Sequence, residues 1–124
     1  MKFAKVVFWI AGIWGLVVLT PLYFMFDAIG RKAPPAITHP QFYFGFVGLA
    51  LVWQIVFIMI AREPVRFRPL MLVAVLEKLS YIVVVLLLHF EHRLDPGQMF
   101  FCGTDTVLCL LFVAAFVKTR KLAD

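Results

Sequence analysis

Charge is scarce in this chain. Charged residues make up 15% of the 124 residues and hydrophobic types 64%, against a soluble average of roughly 25% and 45–50%. A water-soluble fold of this size would be left with apolar patches larger than a few hundred Å², which excludes a soluble enzyme or a nucleic-acid module. Cysteine is nearly absent too. Cys102 and Cys109 stand seven residues apart in one apolar stretch, about 10 Å along a helix axis and beyond disulfide reach. No Cys-x-x-Cys pair or zinc-type Cys/His spacing occurs, so neither a redox motif nor a structural metal framework is written here, and the thiols read as buried and inert. The two-residue alternation of a membrane β-barrel is missing, and eight strands would not fit. The first apolar run lacks an Ala-x-Ala cleavage pattern and outlasts the 7–15 residues of a secretory h-region, so it reads as a retained helix. No catalytic signature or cofactor motif is legible, and an enzyme is the disfavoured reading.

What the chain does contain is four long apolar runs, over residues 6–26, 42–61, 69–90 and 96–117. The first two carry no charge, the third carries Glu77 and Lys78, and the fourth carries only Asp105. A bilayer core about 30 Å thick needs about 20 helical residues, so each run is long enough to span. The expectation is an all-α, single-domain protein over 1–124: a four-transmembrane-helix bundle with short loops. Pro69 opens the third span, and Asp95 followed by Pro96 reads as an N-cap with proline at the first helical position of the fourth. Pro34, Pro35 and Pro40 are expected to keep the first long loop extended, and Pro21 to bend the first span near its end. Ala11 with Gly15, and Gly45 with Gly48, offer small-residue strips for close helix contact. Tyr23 and Tyr43 fall where an interfacial aromatic belt belongs.

Orientation follows from where the positive residues fall. Lys2, Lys5, Arg62, Arg66, Arg68, Lys118, Arg120 and Lys121 lie on the side of the N-terminus, and only Arg31, Lys32 and Arg93 on the other. The excess of positive charge on cytoplasmic segments places both termini in the cytoplasm, in a bacterial inner membrane. The net charge of +5 therefore reads as topology, with the bilayer as partner and no nucleic acid. The Arg62–Pro69 loop, with three arginines around Phe67, reads as an orienting turn that also meets anionic headgroups.

The residues that point to chemistry are the intramembrane charges. A charge at mid-membrane costs about 2.5–3.5 kcal/mol on insertion scales, so Glu77, Lys78 and Asp105 should face the protein interior. Glu77 lies about 12 Å from one boundary and Asp105 about 13–14 Å from the other, a depth gap that a lysine side chain bridges. Gln54 falls near the same depth. Ser80 and Tyr81 follow Glu77 by three and four residues, on its helical face. Cys102 and Cys109 flank Asp105. These groups are expected to converge on one polar site between the third and fourth spans. At its simplest the site is an ion pair that fixes two helices. With two acids to one base, it is also suited to a small lipophilic or cationic molecule, bound or transported.

At the opposite end of the third span stand His89, Glu91 and His92, with His39 and Asp27 in reach if the bundle is compact. These histidines are the candidate metal or haem ligands, although His39 precedes its helix, which weakens a two-ligand haem site.

The layout of four short-looped spans, with the basic turn Arg62 to Pro69, Glu77 and Lys78 in the third span and an acid in the fourth, resembles the small DoxX-like membrane proteins. The resemblance covers the architecture of most of the chain and implies a redox role by analogy with members tied to quinone-linked sulfur oxidation. Four-helix exporters of the small multidrug resistance type are similar in size, but their acid lies in the first helix, where this chain has none. The functional readings are thus three: a small-molecule binding or transport protein, a non-catalytic accessory subunit of a larger membrane complex such as an electron-transfer assembly, and a redox, metal or haem protein using the histidines; other membrane-protein subunits or further copies of the chain are the expected partners besides the bilayer.

Overall fold

The computed structural model describes residues 2–32, 36–94 and 97–123, with side chains to residue 120. It is all-helical. α1 spans Lys2–Leu19 and tightens into a 3₁₀ helix over Thr20–Phe24; α2 spans Phe26–Lys32, α3 Pro40–Arg62, α4 Arg68–Phe90 and α5 Gly97–Ala123. Four segments are long and apolar enough to cross a membrane: Lys2–Phe24, Pro40–Arg62, Arg68–Phe90 and Gly97–Arg120. Their outward faces carry exposed Leu49, Val52, Ile55, Leu72, Leu76, Val83, Leu110 and Val113, the surface a chain presents to a bilayer.

The expectation for the loop after the first span is corrected. Pro21 has no N–H to donate, and the chain answers by changing to 3₁₀ winding. It then rewinds as the short α2, where a single extended loop was expected. Asp27 in the first turn of α2 and Arg31 and Lys32 in its last turn complement the helix dipole. Pro40 does not extend the loop either: it is the first residue of α3, where its missing N–H leaves no helical bond unmade. The expectations on Pro34, Pro35, Asp95 and Pro96 lie outside the described residues.

α1 packs along α3 and α4 along α5. The α1–α3 approach is close because α1 offers glycine there. A Cβ on Gly12 would stand 2.6 Å from Ile58 Cγ1, and one on Gly15 would fall on the Gln54 side-chain amide. Gly48 faces the Tyr23 hydroxyl, whereas Gly45 meets nothing and lends no packing strip. The two helix pairs join through one core in the half of the bundle that holds the α3–α4 turn. Phe8, Phe57 and Phe112 are fully buried there among Ala4, Ala11, Ala61, Ala74 and Ala115. Phe8 stacks on Phe112 with centroids 4.4 Å apart, and Phe57 meets Phe112 edge-on at 5.1 Å; such pairs contribute about 0.5–1.5 kcal/mol each beyond burial. Arg68 locks the same end. Its Nη2 donates to the Phe116 carbonyl at 2.9 Å, its Nε to Thr119 Oγ1 at 3.2 Å, and its guanidinium lies 3.7 Å from the Phe116 ring centre.

Toward the other end the buried cluster of Ile82, Val85, Cys102 and Cys109 joins only α4 to α5. The two pairs therefore part there. Tyr43 Oη donates to the Leu22 carbonyl, and Phe26 packs on Tyr43 and Phe44 at 5.2 and 5.3 Å, which pins the 3₁₀ segment and α2 to α3 at the rim of the gap.

Candidate functional site

A cavity of about 640 Å³ occupies the gap between the two helix pairs. Its walls are apolar, formed by Trp14, Val18, Leu22, Phe46, Ala50 and Phe101, and at its inner end the polar side chains collect. α4 brings Glu77, Lys78 and Tyr81, α5 brings Asp105, and α3 brings Gln54. Lys78 is 5% exposed. Its Nζ donates to Asp105 Oδ1 at 3.2 Å and stands 3.7 Å from Glu77 Oε2, while its other side rests over the Phe57 ring at 5.3 Å. The charged centre thus sits directly on the aromatic core.

Gln54 is 2% exposed. Its Nε2 donates back to the Ala50 carbonyl at 2.8 Å, which leaves Oε1 free. Among the described residues, Gln54 Oε1 and Glu77 Oε2 are buried side-chain oxygens without a hydrogen-bond partner. A buried acceptor left unmade costs about 1–3 kcal/mol, a cost that a donor at the inner end of the cavity would offset. The trio is also formally one negative charge in excess, with two acids around one amine. A positively charged or hydroxylated head group meets both demands.

The six side chains expected at the polar site are not all brought together. Glu77, Lys78, Asp105, Gln54 and Tyr81 line one cavity. Ser80 does not: it is exposed, with its hydroxyl donating to the Glu77 carbonyl one turn back at 2.8 Å. Three residues after Glu77 is enough rotation to carry a side chain out of a narrow cleft, whereas four returns Tyr81 to it. Cys102 and Cys109 are free and buried and pack toward Ile82 and Val85, away from the cavity lining. Gln98, absent from the expected set, lines the cavity and accepts the Tyr81 hydroxyl at 3.1 Å. Its spacing of seven from Asp105, two full turns on the same face, was the available signal. Trp14 and Gly15, on the first span, carried no polar cue.

The three candidate histidines do not form a cluster in the structure. His39, His89 and His92 are exposed, and the described residues contain no group of three His, Cys, Asp or Glu side chains placed to hold a metal ion. His92 has a backbone task instead. It adopts φ 57° after α4, and the bonds from Arg93 N to Leu88 O and from His92 N to His89 O, both 3.0 Å, are those of a Schellman cap. No family model, curated protein or solved structure matches this chain.

Proposed function

We propose that this chain is an integral membrane protein that binds, or carries, a small amphipathic molecule with an ammonium or hydroxyl head, the head lying on Glu77 and Gln54 and the apolar body along Trp14, Phe46 and Phe101. The observation that carries this reading is the cavity whose inner end presents two buried oxygens without a hydrogen bond, Gln54 Oε1 and Glu77 Oε2, the second on one of two acids that share a single amine. Lys78 is the internal counter-ion, and Tyr81, held by Gln98, orients the polar wall. The excess of lysine and arginine at the end with the α3–α4 turn supports an orientation with that end in the cytoplasm of a bacterial cell, the cavity facing the other side. The accessory-subunit reading rests on small size, on the lack of a catalytic signature and on the exposed apolar belt, the last of which a bilayer already explains.

The test uses 2-phenylethylammonium, with 2-phenylethanol and 3-phenylpropanoate as neutral and anionic counterparts, on the protein in lipid nanodiscs. With Trp9 and Trp53 replaced by phenylalanine, Trp14 reports from the cavity wall. The ammonium should change Trp14 emission saturably and raise the unfolding midpoint, the alcohol should do so more weakly, and the carboxylate should not. Glu77→Gln should remove the preference for the cation. Equal responses to all three probes, or a preference that survives Glu77→Gln, would overturn the proposal.

A further inference from the structure

The cavity is not closed symmetrically. From Gln54, Lys78 and Asp105 at mid-bundle its lining continues past Tyr81, Thr104, Gln98 and Tyr43 to Met25, Ile29 and Lys32 on the far rim, so several polar groups stand among its apolar walls in that direction. In the other direction it ends at once. Below Lys78 lie Phe57, Phe8 and Phe112, each 0% exposed, and beneath them Ile60, Ala61, Met71, Ala74 and Ala115, also at 0%. A side-chain layer packed to that degree excludes water, whereas an open passage with several polar partners admits it. Three charges at mid-bundle also need hydration that apolar walls do not give.

From this asymmetry we infer that the site is a blind aqueous pocket, reached by water and by polar solutes only from the face that carries α2 and the α4–α5 loop, with the Phe8–Phe57–Phe112 layer as its closed floor. Any ligand is then loaded from that face, and passage to the other face requires the two helix pairs to part at the aromatic layer. The inference goes beyond the proposed ligand and holds whatever the occupant.

Cysteine accessibility tests it. In a Cys102→Ala, Cys109→Ala background reconstituted in proteoliposomes, Ala36→Cys marks the α2 face and Arg66→Cys marks the α3–α4 turn, both positions being exposed. A membrane-impermeant quaternary-ammonium methanethiosulfonate is added outside, and the labelled fraction is read by intact mass. Thr104→Cys and Gln98→Cys should each be labelled to the same fraction as Ala36→Cys, and Ala115→Cys should stay unlabelled. Labelling of Thr104→Cys to the Arg66→Cys fraction or from both faces would overturn the inference. So would reaction at Gln98→Cys without reaction at Thr104→Cys, or reaction at Thr104→Cys only with membrane-permeant N-ethylmaleimide, the signature of entry from the lipid. The labelling is read with Glu77 in place and the cation preference by Trp14 emission, so the two proposals fail separately.

Discussion

Replacing Lys78 by methionine keeps the side-chain length and removes the charge that two acids share. At an effective dielectric of about 20, a unit pair at the observed 3.2 Å is attracted by about 5 kcal/mol and one at 3.7 Å by about 4–5 kcal/mol. These attractions are largely offset by the desolvation of the lysine and of the two carboxylates, whose side chains are only 18–20% exposed. Once the amine is gone the desolvation of the acids remains and the attraction does not, a situation that costs about 3–5 kcal/mol in buried pairs. Lys78→Met should therefore lose about that much stability in a dodecylmaltoside-to-SDS titration followed by tryptophan emission and circular dichroism. The triple variant Lys78→Met, Glu77→Gln, Asp105→Asn carries no formal charge at the site and should recover most of the loss. A single variant within about 1 kcal/mol of the parent, or a triple variant no more stable than the single one, would refute the claim that these charges meet inside the protein.

Other outcomes follow from individual contacts. Gly15→Ala should cost about 1–3 kcal/mol because its Cβ falls on the Gln54 amide, and the cost should vanish in a Gln54→Ala background, a coupling that a double-mutant cycle of unfolding free energies measures. Arg68→Lys should destabilise nearly as much as Arg68→Ala, by about 1–3 kcal/mol, since an ammonium reproduces neither the paired donors nor the stacking on Phe116; detergent unfolding midpoints check this. His92→Gly should raise stability by about 1 kcal/mol by relieving the left-handed backbone, where loss of a metal ligand would lower it. Cys102 and Cys109 should stay unreactive toward an impermeant maleimide in folded protein, read by mass, because both are buried on the α4–α5 contact.

The four apolar helices were legible in composition and run length, because a chain with this little charge has few ways to satisfy its backbone other than helices that hide their own polar groups. The placement of Glu77, Lys78 and Asp105 toward one another was legible as well, through depth: charges at matching levels in adjacent spans have each other as the least costly partners. Residue spacing along one helix also separated Tyr81 from Ser80, but only once the direction of the cleft was known.

What the tertiary structure alone decided is which helices touch and where they part. The pairing of α1 with α3 rests on Gly12 and Gly15 admitting the Gln54 and Ile58 side chains, and the single core rests on three phenylalanines from α1, α3 and α5 meeting at one level. Those are contacts between residues far apart in the chain, so no local pattern encodes them. The cavity is their consequence: hydrophobic periodicity records which face of a helix is apolar, while the empty volume between helices depends on how large side chains at one level and small ones at another set the spacing of all four.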